Sequence, residues 1–450
     1  MDLNREGGIG SNSLYIELGP FKFVVDAGLH PKRVGLRAAP DFTQIENVEL
    51  DFIVVTHCHL DHIGALPLLL KNRPDTPVLM SHPSQMLVER MLHNSCNVMK
   101  RQKAEQSIPE YPLFSHEEIE AIAAQFEICP FEKTLTVESG EEALKFTLHR
   151  AGHVAGAGGF EIEFADKKYF FTGDVLFDDQ RILDGADFPD KKNYDTIVIE
   201  TTRGETESNP EKTRQSEVDR LLKTIVDTLH RGGSVLIPVF ALGRMQEIIT
   251  IIDIARKNGE IPRCPVYGAG LGLDIANYFD HISKRTEQLK FSRRSIKEIG
   301  LKRPPRNIPP GKEPAEQGIF ILSSGMMVER TPSYNVAASL LHGSRNTFCF
   351  VGYCDPDTPG GKLLAAGPGD EFIFEAIDYQ TKIRAQIERF EMSGHADREE
   401  ILDFALETGA ETIVLTHGDE GARQWFANRL KSARPSARII DPKPLKSYEV

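Results

Sequence analysis

Three histidines and one carboxylate lie within the stretch THCHLDHIG, which spans residues 56–64. They are His57, His59, Asp61 and His62, in a chain of 450 residues that has 14 histidines in all. Imidazole and carboxylate ligands together suit zinc, or manganese if the site is richer in oxygen. Any one of these residues alone could be a cap or a turn residue, but a metal site explains all four together. The stretch therefore predicts a metal centre.

The spacing of these residues predicts two neighbouring ions. His57 and His59 follow the strand-like segment DFIVV, and alternate side chains of an extended chain point the same way. Both imidazoles can therefore reach one ion. A turn at Leu60 then directs Asp61 and His62 towards a second ion.

Further candidate residues come at the ends of other strand-like segments. His153 lies in the glycine-rich loop of HRAGHVAGAGGF, Asp174 ends YFFTGD, and His417 follows the strand of TIVLTHGD. Asp26 in FVVDAG has a similar position. Polar groups at several strand ends of one α/β fold collect along one edge, where such folds place their active sites. Taken singly, each of these four residues is better explained as a cap or a turn residue.

The elements that must position these residues change in rhythm along the chain. Short, apolar or alternating segments such as FKFVVD and DTIVIE predict β-strands through the first half. From about residue 209 strands alternate with helices, which indicates a parallel, helix-covered sheet. The strand-rich rhythm returns near residue 381. We therefore predict an α/β domain at 1–207, an inserted α/β domain at 208–380, and the rest of the first domain at 381–450.

Composition limits the classes of protein and of partner. The sequence has no apolar run that indicates a secretory signal or a membrane helix. Its six cysteines form no CxxC pair, which fits a reducing cytoplasm. The net charge of -13 argues against non-specific nucleic-acid binding by the whole surface. The segment 281–306 is a local exception with nine Lys or Arg against two Glu, although alone it reads as a solvated helix face.

The motifs resemble a known family in their order along the chain. HxHxDH, a lone histidine in a glycine-rich loop and an aspartate after TG are similar to the metallo-β-lactamase hydrolases. VIETTRG, VLIPVFALGRMQEII, ILSSGMM, SGHAD and VLTHGD resemble the landmarks of the β-CASP nucleases, which include the cleavage and polyadenylation endonuclease and the ribonuclease J group. This resemblance implies an αββα metallo-β-lactamase sandwich with an inserted α/β β-CASP domain.

The resemblance also implies a role for each site residue. The first ion takes His57, His59, His153 and Asp174, and the second takes Asp61, His62, Asp174 and His417. Asp26 would orient a ligating histidine. Glu200 and His395 match motifs A and B, so His395, held by Glu200, would assist the leaving 3′ oxygen. Asp61 is catalytic together with Glu200 and His395. The cofactors would be two zinc ions, with manganese as the alternative, and they would share the attacking hydroxide.

The substrate that this resemblance implies is RNA. His417 stands at motif C, where a histidine is typical of the RNA-acting branch and a valine of the DNA-repair branch. Arg244 opens a helix after a strand, and Ser323, Ser324 and Gly325 repeat this arrangement, which predicts phosphate contacts. For either turn alone an ordinary βα connection is the simpler interpretation. We expect endonucleolytic or 5′–3′ exonucleolytic cleavage of single-stranded RNA. The sequence is compatible with a homodimer and does not predict the oligomeric state.

Some positions depart from the family pattern and leave other functions open. Arg203 stands where a tyrosine is usual, and Glu329 and Arg330 stand where small residues flank the RNA path. The alternatives are a DNA nuclease of the same family, a small phosphodiester hydrolase and an inactive scaffold subunit. The last is disfavoured because every ligand position is filled.

Overall fold

A computed structural model describes residues 1–190, 193–286, 288–305 and 308–450. The chain divides into two compact units. Unit 1 comprises Met1–Asp179, Gly185–Ser208 and His395–Val450, and unit 2 comprises Gln180–Asp184 and Asn209–Gly394. No helix formed by the described residues combines the length and the hydropathy needed to cross a membrane.

The described residues form the following strands: β1 (Leu14–Leu18), β2 (Phe21–Val25), β3 (Phe52–Val54), β4 (Val78–Met80), β5 (Phe126–Ile128), β6 (Thr134–Ser139), β7 (Glu142–Arg150), β8 (Gly158–Phe164), β9 (Lys167–Phe171), β10 (Thr196–Glu200), β11 (Val235–Pro238), β12 (Val266–Ala269), β13 (Ile319–Leu322), β14 (Thr347–Phe350), β15 (Glu371–Phe374), β16 (Tyr379–Lys382), β17 (Gln386–Arg389), β18 (Thr412–Thr416) and β19 (Arg438–Ile440).

The α-helices of the described residues are α1 (Leu60–Ile63), α2 (Leu66–Leu70), α3 (His82–Gln106), α4 (His116–Ile122), α5 (Arg214–His230), α6 (Arg244–Lys257), α7 (Leu271–Thr286), α8 (Arg294–Glu298), α9 (Pro332–Leu340), α10 (Pro359–Ala365), α11 (Arg398–Glu407) and α12 (Glu420–Ala433).

Unit 1 consists of two sheets with helices on their outer faces. One sheet has the order β1-β2-β3-β4-β5, and the other has the order β19-β18-β10-β9-β8-β7-β6. Buried aromatic residues fill the space between the sheets, with Phe23 and Phe52 from the first and Phe146 and Phe160 from the second. A second apolar cluster joins β10 and β18 to α11 and α12. The predicted αββα sandwich is confirmed.

Unit 2 is built on one parallel sheet. Its strand order is β12-β13-β11-β14-β17, and every neighbouring pair in it is parallel. The central strands β11 and β13 are buried along their whole length, as apolar runs covered by helices on both faces must be. This confirms the inserted, helix-covered α/β domain.

Residues 381–394 differ between the predicted domains and the compact units. The sequence groups them with the C-terminal segment, whereas β17 pairs with β14 in unit 2 and the chain returns to unit 1 at His395. A short strand of alternating residues carries no signal for which of two sheets it joins, because either sheet buries one of its faces. The predicted domain boundaries therefore stay a prediction.

Candidate metal centre

Predicted ligands of unit 1 follow the ends of four strands. His57 comes shortly after β3, His153 after β7, Asp174 after β9 and His417 after β18, and His59 precedes α1 directly. The parallel strands β10 and β18 pair Glu200 with Thr416, so His417 emerges beside the end of β10. His417 adopts a left-handed conformation with φ 46°, which turns the chain sharply at this point. Strand register therefore brings together residues that are far apart in sequence.

Three histidines and one aspartate form the first predicted ligand group. His59 Nδ1 lies 3.0 Å from His57 Nε2 and 3.2 Å from His153 Nε2. Asp174 Oδ2 is 3.7 Å from each of these two Nε2 atoms. Each imidazole thus turns one ring nitrogen towards a common point.

The second predicted group shares Asp174 with the first. Asp61 Oδ2 lies 3.7 Å from His62 Nε2 and 3.4 Å from His417 Nε2. Asp174 Oδ2 is 3.3 Å from His62 Nε2, and its Oδ1 is 3.2 Å from His417 Nδ1. Asp174 therefore stands between the two groups, as expected of a shared ligand.

The donor atoms fit a metal better than they fit one another. The half-buried His59 faces the buried His57 and His153 with ring nitrogens at hydrogen-bond distance, and each such pair needs a proton or a cation between its lone pairs. Asp174 is 3% exposed, and its Oδ1 accepts no hydrogen bond from the described residues. A buried carboxylate oxygen without a donor is costly, and a metal ion would satisfy it.

Asp26 fixes the orientation of His62. Its carboxylate accepts from His62 Nδ1 at 2.7 Å and from the Thr56 backbone and hydroxyl at 2.8 Å each. Because Nδ1 is engaged in this way, His62 turns Nε2 towards Asp61 and Asp174. Hydrogen bonds of this kind set the tautomer of a ligating histidine.

Glu200 and His395 form a hydrogen-bonded pair beside the ligand groups. His395 Nδ1 lies 3.1 Å from both carboxylate oxygens of Glu200, which is fully buried. Glu200 also accepts from the backbone N–H of Val175 at 2.7 Å and from the hydroxyl of Thr202. The ring centroid of His395 is 4.4 Å from that of His153. The pair is held rigidly at the edge of the cluster.

Burial and neighbouring charges shift the pKa values of this cluster in opposite directions. Burial holds the pKa of His57 well below its ordinary value and lowers the pKa of His59 to about 4. Burial alone would raise the pKa of Asp174, but His417 and His62 outweigh it and hold this pKa well below the usual range. At His395, burial acts to lower the pKa, but the neighbouring Glu200 carboxylate outweighs burial and raises it. Neutral imidazoles and ionised carboxylates are the forms that bind metal.

The predicted phosphate contacts lie in unit 2, where Arg244 is buried and paired. Arg244 is 8% exposed and donates to Glu247, which is fully buried and also accepts from Arg214 Nη2 at 2.8 Å. Burial and the nearby Arg214 hold the pKa of Arg244 well below its ordinary value. The sequence could not show this burial, because it depends on the packing of α6 and on the pairing with Glu247.

The loop of Ser323, Ser324 and Gly325 follows β13 on the same edge of the unit 2 sheet. The hydroxyl of Ser324 accepts from the Val328 backbone N–H at 2.9 Å. A Cβ added at Gly325 would come within 2.9 Å of the Phe240 ring, so the absence of a side chain permits this packing.

Much of the basic segment of unit 2 is engaged in ion pairs. Lys284 pairs with Asp280 at 2.6 Å, Lys290 pairs with Asp184, and Arg294 pairs with Glu298 at 2.5 Å. Glu287 and Arg306 of this segment lie outside the described residues.

The positions that depart from the family pattern are partly exposed. Arg203 Nη2 in unit 1 is 4.0 Å from Asp397 Oδ2, and the Arg203 side chain is 19% exposed. Glu329 and Arg330 lie in an exposed loop of unit 2 that precedes α9.

Three further polar residues that the sequence motifs did not predict contribute to the site. Thr56 bonds Asp26, and the Thr202 hydroxyl lies 2.8 Å from His417 Nδ1. The Asn12 side chain lies 3.2 Å from His62 Nε2. Thr56 lies within THCHLDHIG and Thr202 within VIETTRG, so both could have been found there, whereas Asn12 has no signal in its own segment.

Three family profiles match the chain in succession. Residues 7–201 match the metallo-beta-lactamase superfamily, and residues 245–363 match the Beta-Casp domain. Residues 380–440 match the Zn-dependent metallo-hydrolase RNA specificity domain. The three matches follow the order that the sequence motifs predict.

Relatives from several organisms are similar to most of this chain. The transcription termination factor FttA of Methanocaldococcus jannaschii is 28% identical over 94% of this chain and 67% of its own length. Endoribonuclease YSH1 of Kluyveromyces lactis is 28% identical over 91% of this chain and 53% of its own length. The Integrator complex subunit 11 homolog of Dictyostelium discoideum is 27% identical over 94% of this chain and 57% of its own length. The chain thus spans about half to two thirds of the length of these relatives.

Proposed function

The chain belongs to the metallo-β-lactamase superfamily and carries an inserted β-CASP domain, and from this membership we propose that it is a metal-dependent ribonuclease. Its substrate would be the phosphodiester bond of single-stranded RNA. One relative is named an endoribonuclease, which favours internal cleavage. The observation that carries the proposal is the cluster of histidines and aspartates that could hold metal ions, in a chain that also matches an RNA specificity domain.

The metal would be held by the residues that the sequence predicts. His57, His59, His153 and Asp174 would hold one ion, and Asp61, His62, Asp174 and His417 the other. Five imidazoles and two carboxylates favour zinc, with manganese as the alternative. When bound, such ions lower the pKa of water and neutralise charge on phosphate oxygens.

Glu200 and His395 would handle the proton of the leaving group. Glu200 holds His395 through Nδ1, which leaves Nε2 as the nitrogen that can donate. A proton delivered from this atom to the departing 3′ oxygen would stabilise the leaving group. The bonds from Val175 and Thr202 to Glu200 support this role, because they fix the carboxylate that aims the ring.

Contacts to the rest of the RNA strand would come from unit 2. Arg244, Ser323, Ser324 and Gly325 would bind neighbouring phosphates, and the basic segment 284–306 would attract the strand. A histidine at position 417 favours RNA over DNA. The six free cysteines fit a reducing compartment, and the proposal therefore places the protein in the cytoplasm. A homodimer is compatible with this function and is not required by it.

The test uses three labelled substrates and one small ester. Metal-loaded protein is incubated with 5′-labelled single-stranded RNA, single-stranded DNA and RNA duplex, and the products are mapped by length. Bis(p-nitrophenyl) phosphate reports chemistry that needs no polymer. Asp174→Asn, which removes the shared carboxylate, is the matched inactive variant. We expect internal cleavage of single-stranded RNA; preferred cleavage of DNA, or of the small ester alone, would contradict the proposal.

A further inference from the structure

Asn12 in unit 1 is held firmly against the metal-binding loop. Its backbone N–H donates to the Asp61 carbonyl at 2.9 Å, and its own carbonyl accepts from Gly28 at 3.0 Å. A Cβ added at Gly28 would lie 1.6 Å from the Asp61 carbonyl oxygen, so these segments are in close backbone contact. The position of Asn12 is therefore set by the same segments that carry Asp26 and Asp61.

The side-chain amide of Asn12 reaches a predicted ligand atom. Its Nδ2 lies 3.2 Å from the Asp61 carbonyl oxygen and 3.2 Å from His62 Nε2. A carbonyl oxygen can only accept, so the amide nitrogen, rather than its oxygen, must face Asp61. The two hydrogens of Nδ2 thus have one partner in the backbone and one in the site.

A bound metal would take away the second of these partners. His62 Nδ1 is engaged by Asp26, so Nε2 is the ring nitrogen left to coordinate a metal. A lone pair that binds a metal cannot also accept a hydrogen bond. One N–H of Asn12 would then face the site without its acceptor, and a donor in that state favours an anionic ligand.

We propose that Asn12 binds substrate, donating its side-chain N–H to a non-bridging oxygen of the phosphodiester at the metal centre. This inference rests on the proposed function. An amide suits the task because it is neutral and adds no charge to the ligand set. The contact stabilises negative charge on phosphate, and a pre-positioned donor of this kind typically contributes a large share of transition-state stabilisation.

The experiment compares Asn12→Ala and the isosteric Asn12→Asp with the parent chain. Asn97→Ala is the matched control, because Asn97 bonds His116 on α4, away from the ligand residues. Three quantities are measured: metal bound per chain, the dissociation constant of inorganic phosphate by calorimetry on metal-loaded protein, and kcat/KM for RNA and for bis(p-nitrophenyl) phosphate.

We expect Asn12→Ala to keep its metal and to lose phosphate affinity and kcat/KM by about 10- to 100-fold on both substrates. Asn12→Asp should lose more, because its carboxylate repels phosphate, and Asn97→Ala should behave like the parent chain. Loss of metal in Asn12→Ala, or unchanged phosphate affinity, would overturn the inference. If the parent chain cleaves no RNA while Asn12→Ala still loses phosphate affinity, the proposed function fails and the Asn12 contact stands.

Discussion

His395 and His153 lie side by side, with ring centroids 4.4 Å apart, yet their loss should have different effects. We expect His395→Ala to keep its metal and to lose about 10²–10⁴-fold in RNA cleavage, because it removes a proton donor. His153→Ala should lose metal and activity together, because it removes a ligand. Elemental analysis and kcat on the same samples separate the two.

Glu200→Gln extends this comparison to the partner of His395. The substitution keeps the shape of the side chain and removes the charge that holds the ring, so it should lower kcat and leave metal content unchanged. Loss of metal from His395→Ala in proportion to activity would make His395 a ligand. That outcome is chemically open, since Asp174, Glu200, His395 and His417 also form a group that could hold an ion.

Asp26 offers a second test at the level of one residue. Both of its oxygens accept hydrogen bonds, from Thr56 and from His62. Asp26→Asn would place an amide N–H₂ opposite one of these donors, so His62 would lose its fixed orientation. We expect about 10- to 100-fold weaker metal binding, measured by competition with a chelator. Unchanged affinity would mean that His62 is oriented by the surrounding packing.

The basic segment of unit 2 can be tested as an element. Arg293 and Arg294 stand at the start of α8, where Arg294 pairs with Glu298. We expect Arg293→Glu combined with Arg294→Glu to raise KM for RNA and to flatten its salt dependence, because fewer counterions are released on binding. Lys223→Glu on α5, at an exposed ion pair with Asp227, is the control. An unchanged salt slope would return the segment to a solvated face.

At the start of α6, Arg244 belongs to a buried ion-pair network and is also a predicted phosphate contact. Glu247 balances two arginines, so Glu247→Gln should lower the free energy of unfolding by about 3–5 kcal/mol. Arg244→Met should cost less, because Arg214 stays paired with Glu247. It should also lower kcat/KM for RNA and spare the small ester. Equal losses on both substrates would assign Arg244 to the fold alone.

Sequence predicts elements well where local pattern and tertiary position agree. Ligands at strand ends were predictable, because a strand reads as an apolar run and the polar residue after it stands out. The sheet that β17 joins was not predictable, since its residues fit the sheet of unit 1 as well as that of unit 2. The burial of Arg244 and the approach of Asn12 to His62 depend on contacts across the fold, and local pattern carries no record of those contacts.

At the scale of the whole molecule, metal content and stability should be linked. We expect two zinc ions per chain after purification without chelator. Metal binds the folded ligand set and therefore stabilises unit 1. Compared with protein at a free metal concentration near 100 times Kd, metal-free protein should have a Tm of unit 1 that is about 5–10 °C lower. Elemental analysis and calorimetry with and without chelator measure both quantities. Substoichiometric metal after zinc repletion would contradict a two-ion centre.

The position of β18 has a consequence for how the chain is made. β18 lies between β10 and β19, so the seven-stranded sheet stays open at β10 until residues beyond 411 have emerged from the ribosome. Six of the seven predicted metal ligands precede unit 2, but His395 and His417 follow it. For a chain proposed to cut RNA, this order of synthesis means that a nascent polypeptide shorter than 417 residues has no complete site.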